Sequence, residues 1–297
     1  MKTDRTILIF AAVVVAFVAH PAVGDEITFT CDQGFWSNEL CWDLERTPTS
    51  GDDVVIPYPY VCRVDYSAAE CRSFKVGTTN DYGPKLIIET GNTLTFTQDS
   101  AILGQLIRGQ VVLEGSGSTL KTLSNAGGTV TISGEGEIKG GHNAAKIVID
   151  RTTTGQLTIT SALTIRGALT IQGVSKFRNE GQVIADAGTV TLAVQSALSD
   201  TAGDRWFVRG AGSLLLFDEA LPALISLAGN FRIDDGATST SEMEFNRTLS
   251  TTGRLKMETG VVDVNENVTM GDDAAGNFMD MTGGKIDVAA GKKFEHK

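Results

Sequence analysis

The residues best suited to chemistry by type and spacing lie near the start of the chain. Cys31, Cys41, Cys62 and Cys71 are the only four cysteines among 297 residues. An even number of cysteines in an exported chain reads as two disulfides. Three connectivities are open, and closeness in sequence favours Cys31–Cys41 with Cys62–Cys71. A zinc site would call for closely spaced Cys-x2–4-Cys pairs. The gaps here are 10, 21 and 9 residues, which disfavours it.

Carboxylates are the next candidates. Asp52 and Asp53 stand just before the apolar run Val54-Val55-Ile56 and are read as turn residues that bond nearby backbone N–H groups. Asp150 with Arg151, Asp234 with Asp235, and Asp272 with Asp273 pair acids with one another or with a base, as polysaccharide-cleaving sites require. Adjacent strand residues point to opposite faces, however, so adjacency alone does not assemble a site. Beyond the leader described below, the only histidines are His142 and His296. His142 follows Gly140-Gly141 and reads as an exposed turn residue, with no serine and acid arranged around it. No Gly-x4-Gly-Lys-Ser/Thr phosphate loop occurs. No catalytic or cofactor-binding residue is therefore assigned.

Calcium is the second metal that the residue pattern raises. Asp263, Asn265 and Asn267 begin like a calcium loop. Val268 then replaces the turn glycine and Ala274 the bidentate glutamate, so a solvated polar face is preferred and no cofactor is expected. Thr-x-Thr pairs such as Thr93/Thr95, Thr129/Thr131, Thr158/Thr160 and Thr189/Thr191 place hydroxyls on the outside of strands, where threonine is favoured in any case. Asn246-Arg-Thr248 and Asn267-Val-Thr269 match the acceptor pattern for N-linked glycans.

These residues must be positioned by some framework, and composition narrows the choice. The chain has 34 threonines and 33 glycines but only 6 prolines, and aromatics make up 7%. That mixture suits strands separated by tight turns. A net charge of −11 without a basic cluster argues against nucleic acid as a partner. Residues 1–24 have the layout of a secretory signal peptide: Lys2 and Arg5, an apolar run from Ile7 to Ala19, then small residues before Asp25. That run is shorter than the ~20 residues that span a bilayer. The remaining chain is expected to be secreted or surface-exposed and not membrane-spanning.

From Leu86 onward a short phrase recurs: glycine, a small or polar residue, aliphatic, polar, aliphatic. It appears at Gly91, Gly128, Gly155, Gly167 and Gly188. Period-two alternation predicts strands with one buried face, and glycine supplies the positive φ of a tight corner. Gly188, Gly212, Gly236, Gly260 and Gly284 recur every 24 residues. A second phrase starts at Gly229, Gly253 and Gly276. A fixed period filled only with strands and turns is a solenoid signature. The expectation is an all-β, right-handed parallel β-helix with coils of about 24 residues. A disulfide-bonded cap over 25–85 precedes repeats over 86–297. The stretch from Ser196 to Leu227 is read as one coil with a bulged corner.

The phrases Gly276-Asn-Phe-Met-Asp-Met-Thr-Gly-Gly-Lys-Ile-Asp-Val and Gly260-Val-Val-Asp-Val, with the opening Trp36, Trp42, Pro48, Gly51-Asp-Asp-Val-Val-Ile, resemble bacterial exported β-helix proteins of the autotransporter-passenger and surface-repeat type. The resemblance implies surface location more firmly than any activity. It implies a non-catalytic structural or adhesive protein whose partners are glycans or cell-surface components. The alternative is a polysaccharide lyase or hydrolase on the same scaffold. A groove along one parallel sheet, with clustered carboxylates and a base, would distinguish the enzyme.

Overall fold

The computed structural model describes residues 24–77, 83–103, 108–124, 128–234, 237–271 and 279–296. Residues 1–23, most of the segment expected to be a leader, lie outside the described residues. So do Asp235, Gly236, Asp272, Asp273, Ala274 and the start of the third Gly-Asn-Phe phrase.

Alternating burial sets the architecture. Val54 and Ile56, Leu94 and Phe96, Val190 and Leu192, and Val262 and Val264 all point inward and are fully buried, while their neighbours face out. A strand of four or five residues cannot bury such a face alone, so it stacks on the equivalent strand of the next turn. Among the described strands every ladder is parallel, as in Asp53–Ile56 on Ser73–Val76, and the isolated bridge between Phe29 and Trp42 is antiparallel. The molecule is an all-β parallel β-solenoid of about ten turns, with one 3-10 turn at Glu39–Cys41.

Each turn contributes to three faces. The first face begins at Glu26–Thr28 and runs strand on strand to Ala197–Asp200. A separate four-stranded sheet, from Leu224–Leu227 to Phe294–His296, continues it. The second and third faces form one 19-stranded sheet, because Glu137–Arg151 and Thr164–Gly173 run unbroken around the corner between them. Gly167 sits at that corner with φ +96°, and a Cβ there would lie 2.1 Å from the Gly140 carbonyl oxygen. Glycine is required at this corner by both conformation and space.

The expected 24-residue spacing survives as an average. On the third face Thr189 pairs with Leu214, Leu214 with Glu242, Glu242 with Val261, and Val261 with Lys285. The steps are 25, 28, 19 and 24 residues, because corners absorb insertions and deletions while the ladders keep register. Gly188, Gly212, Gly260 and Gly284 all have positive φ at these corners. Of the earlier phrase-starting glycines, Gly91 and Gly167 share that geometry, whereas Gly128 and Gly155 do not. The Ser196–Leu227 stretch follows the solenoid from one first-face strand to the next, but its bulge, between Asp204 and Trp206, lies inside the Gly203–Val208 strand and not at a corner.

The parallel ladder starts inside 25–85, since Glu26–Thr28 already pairs with Asp53–Ile56. Phe29, Trp36 and Trp42 plug this end with edge-to-face contacts at 5.0 and 5.2 Å between ring centroids. The Trp42 indole N–H donates to the Trp36 carbonyl at 2.9 Å. Cys31 and Cys41 form the expected disulfide. The companion pairing of Cys62 with Cys71 is corrected: both are free, buried thiols. They belong to different faces of one turn, Cys62 on Val61–Val64 and Cys71 on Ala69–Cys71. Each points inward and stacks along the axis, on Leu86 and Phe96 respectively, so neither aligns with the other despite a nine-residue separation. Burial raises both thiol pKa values, leaving them neutral.

Candidate functional site

A polar hollow lies on the second face toward the C-terminal end. It has a volume of about 560 Å³. Four strands supply it: Gly203–Val208, Gly229–Ile233, Leu255–Met257 and Asp280–Met281. Their inward residues Trp206, Phe231 and Leu255 form a continuous buried stack that fixes the strands beneath the hollow. Outward residues must then line up from rung to rung. Phe207 stands beside Arg232, Arg232 beside Lys256, and Lys256 beside Asp280. The hollow is lined by Asp204, Asn230, Arg232, Arg254, Lys256, Met279 and Asp280, with backbone from Phe231 and Leu255.

The bulge after Asp204 opens this surface, since an extra residue bends one strand away from its neighbour. Arg205, the extra residue, turns back to donate to the carbonyls of Thr201 and Ala202. Asp204 accepts from Asn230 Nδ2 at 2.8 Å and from Arg232 Nη1 at 2.9 Å. Partial burial pushes the Asp204 carboxyl upward, but these donors outweigh it and hold the group below the usual carboxylate range. Burial likewise works against the Arg232 charge, and the Asp204 and Asp234 carboxylates overcome it. Asp234, fully buried, lies between Arg232 and Arg209; Arg209 Nε is 3.5 Å from its Oδ1. Both guanidiniums also lie over the Phe207 ring, at 4.4 and 5.8 Å from its centroid. Lys256 donates to Glu258 at 2.9 Å, which keeps its ammonium charged.

This arrangement presents N–H donors from adjacent rungs about 4.8 Å apart, flanked by the ionised Asp204 carboxylate. It can hydrogen-bond a chain of hydroxyls or carboxylates laid along the solenoid axis. A general acid would need a carboxyl with a raised pKa. The two described carboxyls in that condition lie elsewhere. Asp200 is raised by burial even though it accepts from Trp206 Nε1 and the backbone N–H groups of Ala228 and Gly229. Glu242, on the third face, is raised by desolvation and by Asp263 and Glu244.

No family model, curated protein or solved structure matches the chain.

The residues singled out from sequence do not converge on this hollow. Asp52 accepts from the Thr49 N–H at 2.8 Å, as a turn residue should, and also from both Nη atoms of Arg46. Asp53 lies in a strand, bonded to Arg72 and Ser73, beside a shallower hollow of about 450 Å³. Asp150 faces out from the third face and pairs with Lys121 at 2.8 Å. His142 is exposed at the corner between second and third faces, its Nδ1 accepting from the Ala144 N–H. The side chains of Arg151 and His296 lie outside the described set. Asp263, Asn265 and Asn267 do not form one cage. Asn265 donates to Glu244 and Asn246, and Asn267 Oδ1 accepts from the Lys293 N–H. Among the described residues no group of three or more His, Cys, Asp or Glu side chains is placed to hold a metal ion.

Asn230, Arg232, Arg254 and Lys256 went unnoticed as site residues, although a signal existed. The phrases Gly229-Asn-Phe-Arg and Gly253-Arg-Leu-Lys put Asn230 level with Arg254 and Arg232 level with Lys256. Alignment of repeats is stacking of side chains in a solenoid. The third phrase is set one residue off: Lys256 pairs with Asp280, a step of 24, where the phrase spacing of 23 would select Met279.

Proposed function

We propose that this protein is an exported, non-catalytic β-solenoid with a structural or adhesive role outside the cell, and that its second-face hollow binds glycans. The leader-like N-terminus and the surface-repeat resemblance support the location. The observation that carries the binding role is the hollow itself. Asn230, Arg232, Arg254 and Lys256 come from two successive rungs and face one concave surface. A rigid row of donors at a fixed spacing suits a polymer of repeating hydroxyls better than a small compact ligand.

The combination of Asp204 and Asp280 with Arg254 and Lys256 in one groove favours a second reading, a polysaccharide lyase or hydrolase. Asp204 is held ionised by Arg232 and Asn230, which suits it to binding better than to proton donation. A glycan array run with and without calcium separates the readings. The expected outcome is retention of one glycan class, at least tenfold weakened by Arg254→Ala with Lys256→Ala, and no turnover of the bound glycan. Cleavage of any retained polysaccharide would establish the enzyme instead, and unchanged binding by the double variant would remove the hollow from the account.

A further inference from the structure

The two Asn-x-Thr motifs fall on the same edge of the solenoid, the corner between the third and first faces, one rung apart. Asn246 lies between Glu242–Phe245 and Thr248–Thr251, and Asn267 lies between Val261–Val264 and Val268–Met270. Their surroundings differ. The Asn246 side chain is wedged between rungs: its Nδ2 donates to Glu244 Oε1 at 2.9 Å, and its Oδ1 accepts from Asn265 Nδ2 at 2.9 Å. Asn267 is exposed. Among the described contacts its carbonyl groups alone serve the fold, the side-chain Oδ1 accepting from the Lys293 N–H and the backbone oxygen from the Leu249 N–H. A sugar is joined through Nδ2, so modification of Asn267 leaves both of these bonds in place. At Asn246 the same change would insert a bulky group into an inter-rung contact.

We infer that Asn267 is an acceptor for an N-linked oligosaccharide, in preference to Asn246. The inference rests on export, as proposed above, and requires a secretory route that supplies a lipid-pyrophosphate-linked oligosaccharide. In the transfer the Asn267 amide nitrogen forms a bond to the anomeric carbon. The anomeric C–O bond breaks, the lipid pyrophosphate leaves with the electron pair, and the amide gives up one proton. Thr269, two residues on and facing outward on its strand, supplies the hydroxyl of the motif. The corner adjoins the third and first faces, so the sugar would leave the second-face hollow uncovered.

The test is expression of the full chain with its own leader in a eukaryotic secretory host. Protein recovered from the medium is then peptide-mapped before and after glycosidase treatment. The expected result is a modified Asn267 peptide, with occupancy at Asn246 several-fold lower. Asn267→Gln should lower the mass by one glycan and Asn246→Gln should leave the main species unchanged. Thr269→Ala should remove the same glycan and Thr269→Ser restore it, which distinguishes lost modification from lost folding. A secreted chain with Asn267 unmodified, or with Asn246 occupied equally, overturns the inference and leaves export standing. A chain that keeps an uncleaved leader and never reaches the medium overturns both.

Discussion

The two ends of the solenoid make an internal comparison. At the N-terminal end, Phe29, Trp36 and Trp42 close over the first rungs, and Ile27, Val54, Ile56, Cys62 and Val64 are essentially inaccessible, with Cys31 and Tyr60 partly buried at the rim. In the last described turn the same inward positions are half open. Val264 is 0% exposed, while its ladder neighbour Val288 is 42% exposed. Met281, Ile286 and Phe294 are also only partly buried. The residue types and strand pattern are alike; what differs is whether a rung has a neighbour on one side or on both. Burial here is a property of the stack rather than of the strand.

That contrast can be broken most forcefully at the plug. Trp42→Ala should cost about 3–5 kcal/mol, because it empties a fully buried site and removes the bond to the Trp36 carbonyl. Phe294→Ala at the other end should cost less than half as much. Chemical denaturation of each variant against the parent measures the difference. Comparable losses would mean that the N-terminal cluster does not act as a plug.

The disulfide comes next in size. Replacing both Cys31 and Cys41 with serine should destabilise the chain by about 2–4 kcal/mol. Replacing Cys62 and Cys71 with alanine should leave the response of the melting temperature to reductant as in the parent, since neither forms a disulfide. Thermal melts with and without reductant discriminate: parent and Cys62/Cys71 variant should both fall on reduction, and the Cys31/Cys41 variant should not.

The ladder pair itself gives a finer reading. Val264→Ala should cost about 1.5–3 kcal/mol, the worth of a fully buried aliphatic side chain. Val288→Ala should cost under about 0.5 kcal/mol, as for an exposed position. Equal effects from urea titration would show that the terminal rung is covered in solution.

The smallest expected effect depends on pH. Arg46 and the Thr49 backbone and hydroxyl donors outweigh burial and hold the Asp52 carboxyl well below its usual range. Its folded pKa lies below the unfolded value of about 3.9. Its contribution is therefore fully present above about pH 4 and is lost as pH falls through the folded pKa. Asp52→Asn should flatten the acid limb of the stability curve and lower stability at neutral pH. An unchanged acid limb would show that Asp52 is not the titrating anchor of this end.

Much of the architecture was legible because its determinants are local. Alternation at Thr93–Phe96 or Thr189–Val194 marks which residues turn inward wherever the strand is placed. The four glycines at 188, 212, 260 and 284 mark corners through a backbone conformation that other residues rarely adopt. Cys31 and Cys41 lie close enough to be joined by one short loop. The hollow was less legible because its residues are 24 to 76 positions apart, from Asp204 to Asp280, and meet only through register. Asp200 shows the limit most plainly. Nothing in Ala197–Asp200 announces that its carboxyl will accept from Ala228 and Gly229, replacing ladder bonds where the first-face sheet breaks.

Sequence alone determined an all-β chain of stacked turns and the in-or-out sense of each strand residue, and it offered the Cys31–Cys41 disulfide on the same ground as the Cys62–Cys71 pairing that does not form. Tertiary structure decided the unequal rung lengths, the free state of Cys62 and Cys71, the joining of two faces into one sheet and the gathering of Arg232, Arg254 and Lys256 around one hollow. The physical reason is that a parallel ladder pairs residues 18 to 32 positions apart, as from Thr164 to Gln182 or from Ser100 to Ile132. Local preference sets each strand's two sides. Only the axial packing of buried side chains such as Trp206, Phe231 and Leu255 selects which strands become neighbours.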